Sequence, residues 1–403
     1  MSGNNVPIDL TSTQAIIDLE EAYQIPTYAK MPIALVRGEG GYVWDADGKK
    51  YLDFYGGHCV LPLGHCPPRV VEGLKAQAET LMFYSNVVYS PVRARAAQML
   101  AELAPEGLGH VFFCNSGTEA NETALKLARK VTAKPGVVAM QGGFHGRTLG
   151  SLAVTGEDKY RAPYAGVLPE TAFVPFGDIE AVERVFMERT DIATVILEPI
   201  QSMAGVTEAP AEYFRSLRDL CDRQGVMLIF DEVQTGVGRT GTFSISEQLG
   251  MKPDLITLAK SLASGVPVGA VLVSEKIAKT VKPGDQGTTF GGGMLAMAAA
   301  TATLETILEE DLMSRAPQIF DRIKTAVAPH VKAVRGRGCL IGIELFSPAK
   351  EVLARLRRAG VLAGGASDPQ VIRLMPPLNT PFSAVDEFLA AFEQALVPEP
   401  AGA

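Results

Sequence analysis

Through the middle of the chain, short apolar runs alternate with stretches of helical periodicity. Val195-Ile-Leu-Glu198, Met227-Leu-Ile-Phe230, Leu255-Ile-Thr-Leu258 and Ala270-Val-Leu-Val273 have strand length and little polar alternation, the pattern of strands buried on both faces. Ala211 to Gln224, between two of these runs, spaces its apolar residues as a helix does. Alternating strands and helices predict an α/β fold with a largely parallel, helix-covered sheet.

The flanks read differently. Gly41-Tyr-Val-Trp44 and Tyr51-Leu-Asp-Phe54 bracket Asp47-Gly48, which predicts a β-hairpin. Towards the C-terminus, helices are predicted over Met294–Glu310 and Ala316–Val331, and strands over Gly342–Leu345 and Val371–Leu374. The expected division is an N-terminal segment, 1–60, packing with a small α+β domain of 296–403, around a large domain of 61–295. A chain of 403 residues supports two cores, since single cores stop growing at roughly 250 to 300 residues.

Composition narrows the function classes. With 47% hydrophobic and 20% charged residues the chain can bury a large core and leaves little room for disorder. A net charge of −8 without a Lys/Arg run argues against nucleic acid. Met1 to Leu10 lack a basic start and an apolar stretch, and no run approaches the ~18 apolar residues of a membrane span, so a cytoplasmic protein is expected. Cys59, Cys66, Cys114, Cys221 and Cys339 are odd in number and scattered, which predicts reduced thiols.

The chemistry concentrates at predicted strand ends. Asp231 closes Leu228-Ile-Phe-Asp231, and Lys260 follows Leu255-Ile-Thr-Leu-Ala259, at the edge where open α/β sheets bind ligands. A lysine amine and a carboxylate so placed are what pyridoxal 5′-phosphate (PLP) requires: one forms a Schiff base, the other pairs with the pyridine nitrogen. Read singly, Asp231 is a helix cap and Lys260 a solvated lysine. Cys114-Asn-Ser-Gly-Thr118 opens the helical pattern Glu119 to Lys130, a terminus able to hold a phosphate or simply an Asn/Ser cap. Gly142-Gly-Phe-His-Gly-Arg147 offers Phe144 to stack on a flat ring, or to fill a core, and Arg147 as a fork for a carboxylate or a surface ion pair.

Two motifs mislead. Gly236-Val-Gly-Arg-Thr-Gly241 matches the dinucleotide-binding spelling, yet Asp231 to Thr235 separates it from its strand and no acidic residue follows at the expected distance. His58-Cys59 and His65-Cys66 do not have zinc-site spacing, and a structured loop without metal is the expectation.

Taken together, the chain resembles the class III, or ω-amino, aminotransferases of PLP fold type I, in particular the acetylornithine and ornithine branch. The resemblance runs in order through Gly38-Glu-Gly-Gly-Tyr-Val-Trp-Asp-Ala-Asp-Gly48, Leu63-Gly-His-Cys66, Asn115-Ser-Gly-Thr-Glu-Ala-Asn121, Phe144-His-Gly-Arg-Thr148 and Leu197-Glu-Pro-Ile-Gln201. It continues through Phe230-Asp-Glu-Val-Gln-Thr-Gly-Val-Gly-Arg-Thr-Gly241, Leu258-Ala-Lys260 and Gly287-Thr-Thr-Phe-Gly-Gly292. It implies a mostly parallel seven-stranded sheet in the large domain, a homodimer, and transfer of an ω-amino group to a 2-oxo acid, with 2-oxoglutarate the expected acceptor. N-acetylornithine is the donor it brings first, with ornithine, 4-aminobutyrate and a lysine-pathway amine as rivals; arginine biosynthesis is the implied setting.

The resemblance also implies roles. Lys260 carries the Schiff base and then moves the proton, Asp231 holds the pyridine nitrogen, Val233 and Phe144 cover the ring faces, and Gln234 meets the ring hydroxyl. Ser116, Gly117 and Thr118 take the phosphate, and Thr289 reaches the phosphate of the neighbouring subunit. Arg147 and Arg373 are the candidates for substrate carboxylates. The chain departs from the pattern at Met203, in Ser202-Met-Ala-Gly205, where the branch usually has a glutamate that masks the arginine matching Arg373. Pro68 and Gly293-Met294 are further departures near the expected substrate entrance. Aminomutases, racemases, decarboxylases and lyases share this fold, and a noncatalytic or nucleotide-binding protein built on it is the reading from another class.

Overall fold

The computed structural model describes residues 10–397. Its centre is a seven-stranded sheet in the order His110–Cys114, Gly269–Val273, Leu255–Leu258, Met227–Asp231, Ile192–Leu197, Gly136–Met140 and Ala172–Val174. Gly269–Val273 runs against both of its neighbours, and the other pairs are parallel. The α/β class and the mostly parallel sheet are therefore as the chain's pattern predicts.

Burial on both faces explains the uninterrupted apolar runs. Every residue of Gly136–Met140, Ile192–Leu197, Leu255–Leu258 and Gly269–Val273 is buried. Because successive side chains point to opposite faces, one strand feeds two cores: Val138 and Met140 join one cluster, Val137 and Ala139 the other. Helix Ala211–Gln224 packs Phe214 and Leu217 into the first, and helix Gly117–Thr132 packs Ala120, Ala124 and Leu125 into the second.

Two smaller sheets flank this layer. Leu35–Glu39, Tyr42–Asp45 and Lys50–Asp53 form an antiparallel meander, and Lys50–Asp53 pairs in parallel with Val361–Leu362. Asp45 closes the predicted hairpin by accepting the Lys49 amide (2.8 Å) and the Tyr51 hydroxyl (2.8 Å). Ala333–Arg337, Leu340–Glu344, Val371–Leu374 and Gly364–Gly365 form an antiparallel sheet that carries Arg373. The helix expected over 316–331 instead spans Leu312–Val327. Pro317 stands inside this helix, and Pro329 forbids a continuation past Ala328.

Candidate active site

At the C-terminal edge of the parallel strands lies a cavity of about 400 Å³ lined by Ser116, Gly117, Thr118, Phe144, Arg147, Asp231, Val233, Gln234 and Lys260, among others. The fold therefore brings together nine of the residues singled out above. Asp231, the last residue of Met227–Asp231, accepts hydrogen bonds from Asn121 Nδ2 (2.7 Å), His145 Nδ1 (2.8 Å) and its neighbour's amide, Val233 N (3.1 Å). Asn121 is itself braced, donating to the His145 carbonyl and accepting from Thr257 Oγ1, both at 2.8 Å. A carboxylate held by converging donors presents its oxygens in fixed directions.

Lys260 follows its strand by two residues and opens the short 3₁₀ turn Lys260–Ala263 with φ at +36°. That left-handed backbone is costly for a residue with a Cβ, and such strain concentrates where a side chain must be aimed. Burial pushes the Lys260 amine below the usual lysine range, while Cys59, Asp231 and Glu198 oppose the shift and Arg373 adds to it. Glu198 is pushed up to about 7, first by burial and then by the Asp231 carboxylate. It accepts the Phe144 amide at 2.8 Å and so fixes the glycine-rich loop.

The opposite end of the cavity is a helix start. Ser116 caps Gly117–Thr132, its Oγ accepting the Glu119 amide at 3.3 Å. Gly117 and Thr118 are the first helical residues, whose amides have no acceptor within the helix and point out of its positive end. Thr118 Oγ1 lies 2.5 Å from Ser151 Oγ and 2.9 Å from Thr148 Oγ1. Glycine is required here: a Cβ on Gly117 would stand 2.9 Å from Val233 Cγ2, and one on Gly146, at φ +129°, only 2.2 Å from Thr118 Oγ1. Beside this end the exposed Arg147 lays its guanidinium 3.7 Å over the Tyr160 ring.

The other three candidates lie outside the cavity's lining. Thr289 is exposed on the surface. Met203 sits partly buried in the turn after Gln201, its carbonyl accepting the Ser367 amide at 2.8 Å. Arg373 is 2% exposed and stands behind the wall, Nε donating to the Gly365 carbonyl (2.6 Å) and Nη1 to Ser202 Oγ (3.1 Å). Ser202 Oγ in turn donates to Gln234 Oε1 at 3.0 Å.

Sequence reading assigned no role to Asn121, His145, Glu198 or Ser202, and set His58 aside with the zinc decoys. In the structure His58 has φ +71° and hydrogen-bonds the Tyr55 hydroxyl through Nδ1. Burial, then the nearby Lys260 and Arg373, push its imidazole down to about 3, so it is neutral at physiological pH. The adjacent Gly56-Gly57, both at positive φ, are a signal by which this turn could be found in the sequence.

The sequence model of the class III aminotransferases matches residues 23–396. The chain belongs to that family. An acetylornithine aminotransferase from Methanopyrus kandleri is 45% identical to it, over 94% of this chain and 98% of the relative. The acetylornithine aminotransferase of Bacillus subtilis is 40% identical, over 92% of this chain and 96% of its own. Among solved structures, an ornithine aminotransferase from Toxoplasma gondii superposes with a TM-score of 0.91 at 29% identity, covering 96% of this chain and 95% of that one. An acetylornithine aminotransferase from Elizabethkingia anophelis superposes with a TM-score of 0.84 at 31% identity, covering 96% and 99%.

This class III aminotransferase is a PLP enzyme. Its cavity suits that cofactor: one end offers orphan amides at a helix start, the other a braced carboxylate, and the wall a lysine amine depressed by burial. Glycine at 117 and 146 lets the helix start and the loop pack directly against Val233 and Thr118.

Proposed function

We propose that this aminotransferase moves the ω-amino group of a carboxylate-bearing donor, N-acetylornithine foremost, to 2-oxoglutarate, a step of arginine biosynthesis. One observation carries the reading. Arg373 is a buried cation with no carboxylate within ion-pair distance among the described residues, so its charge is open to compensation by a substrate anion. Met203, where the branch usually has its masking glutamate, cannot supply that compensation. The names of the relatives, acetylornithine and ornithine aminotransferases, agree with such a donor.

PLP, when bound, supplies a protonated ring that accepts electrons from the carbon losing its proton. The chain's residues do the rest. Lys260 Nζ, favoured as the neutral amine by burial, would hold the cofactor through its aldehyde group and would serve as the base that moves the proton off the donor carbon. Asp231 would pair with the pyridine nitrogen and Gln234 with the ring hydroxyl, Val233 and Phe144 would cover the ring, and Ser116, Gly117 and Thr118 would hold the phosphate. Arg373 and Arg147 orient the carboxylates, with Met203 leaving Arg373 unmasked in both half-reactions.

The same reading includes a homodimer with shared sites. Its support is a surface rich in apolar groups, Leu81, Met82, Tyr84, Val87 and Tyr89, joined through the Phe83–Phe290 ring contact (5.1 Å) to the segment that carries the exposed Thr289. It also includes the division at residues 60 and 295, of which 1–9 and 398–403 lie outside the described residues. No helix among the described residues is long and apolar enough to cross a membrane, and all five cysteines are free, in keeping with a reducing, cytoplasmic setting.

Holoenzyme incubated with N-acetylornithine and no oxo acid tests the proposal. It should release one equivalent of aldehyde product per site, stop, and resume when 2-oxoglutarate is added. Continued turnover without an oxo acid refutes transamination as the physiological reaction and favours an aminomutase, racemase, decarboxylase or lyase. A donor ranking with N-acetylornithine below ornithine, 4-aminobutyrate and lysine refutes the donor.

A further inference from the structure

Buried hydroxyls must place both their lone pairs and their proton. Ser202 is fully buried and lies between two groups of unlike capacity. Arg373 Nη1, which can only donate, approaches Ser202 Oγ at 3.1 Å, and Gln234 Oε1 lies 3.0 Å from the same atom. The hydroxyl proton therefore goes to Gln234, because the guanidinium offers no acceptor and an unmade buried hydrogen bond is expensive. With its carbonyl committed to Ser202, Gln234 has its amide N–H groups left for the cavity it lines. Gly365 holds the far side of Arg373 through Nε at 2.6 Å, so the guanidinium has little freedom to turn away.

We propose that Ser202 is a positioning residue that ties the substrate-carboxylate arginine to the cofactor-facing glutamine, through the one-way chain Arg373 to Ser202 to Gln234. The proposal rests on the reading above, in which Arg373 anchors a carboxylate and Gln234 faces the cofactor. Its consequence is that the arginine is parked against a neutral hydroxyl rather than a carboxylate. Each half-reaction then begins with the guanidinium held in one orientation. Because the chain ends on the cofactor's edge, occupancy of the carboxylate site reaches the cofactor through fixed hydrogen bonds.

The test uses Ser202→Ala and the volume-preserving Ser202→Cys, each alone and with Gln234→Ala, read by PLP binding to apoenzyme, by the pH midpoint of the holoenzyme's visible absorbance, and by binding of glutarate as a dicarboxylate probe. Ser202→Ala should weaken both PLP and glutarate by about tenfold, the worth of a hydrogen bond to or beside a charged group, and should displace the pH midpoint. In the Gln234→Ala background the PLP effect should shrink to less than about twofold while the glutarate effect persists, because the chain is then already cut. The proposal is overturned if folded Ser202→Ala and Ser202→Cys bind both ligands as wild type does, or if the PLP effect is the same in both backgrounds. Wild-type protein without visible absorbance or transamination would instead overturn the functional reading beneath it.

Discussion

Replacing Asn121 with alanine should damage the site without touching any residue assigned to contact the cofactor. The side chain is 1% exposed and makes three hydrogen bonds: to Asp231 Oδ2, to the His145 carbonyl, and from Thr257 Oγ1. Two are ordinary, worth about 1 kcal/mol each, and the one to the carboxylate is worth about 1.5 to 3 kcal/mol. Truncation also leaves a small void in a packed region, so the cofactor-free protein should lose about 3 to 5 kcal/mol of unfolding free energy. Only the bond to Asp231 bears on the cofactor, so PLP affinity should fall by about 10- to 100-fold. Urea unfolding of the apoprotein measures the first quantity, and titration of apoprotein with PLP, followed by visible absorbance, the second. If Asn121→Ala retains wild-type PLP affinity while its stability falls, Asp231 does not depend on this brace and the account of the carboxylate is wrong.

Further expectations follow from other contacts. Gly117→Ala forces a methyl to 2.9 Å from Val233 Cγ2, and overpacking of about 1 to 3 kcal/mol should appear as weaker PLP binding; unchanged affinity would show the contact to be soft. Met203→Glu should give Arg373 an internal partner and reorder the donors in a half-reaction screen, and an unchanged ranking would defeat the idea that the missing mask matters. Glu198 and Glu232 are both raised by burial from 4.5 to about 7, so the folded apoprotein binds more protons than the unfolded chain between those values. Their contribution to stability is fullest below about 4.5 and is lost as pH rises through about 7, by up to about 1.4 kcal/mol per pH unit for each group, against an opposite slope from His58, whose lowered pKa favours the fold as pH rises towards 6.5. Urea unfolding of apoprotein across this range checks it. Glu198→Gln should flatten the slope, and a steeper loss of stability towards acid over the same interval would contradict the sign.

Much of the site was legible because its chemistry is local to strand ends. Asp231 and Lys260 stand out as polar residues at the limits of apolar runs, and the Ser116 cap is written in the residues that open its helix. The braces were not legible, since each joins distant stretches: Asn121 to Asp231 spans 110 positions and His145 to Asp231 spans 86. Neither pairing leaves a trace in periodicity. Ser202 was invisible for another reason, because a buried serine matters only through what stands on either side of it, and its partner Arg373 is 171 positions away. In the fold, the apolar runs located four of the seven central strands, whereas the helix expected from 316 begins one turn earlier, at Leu312, with Pro317 inside it.

The parallel pairing of Lys50–Asp53 with Val361–Leu362 has a consequence for how the protein is made. During synthesis the hairpin emerges about three hundred residues before the strand that completes it, a separation that slows folding because loop closure must precede any reward. Until then one rim of the hairpin offers unpaired amides and carbonyls to any passing strand. The nascent chain is therefore most exposed to mispairing at its beginning, and the tail that carries Arg373 is also the part that seals that rim.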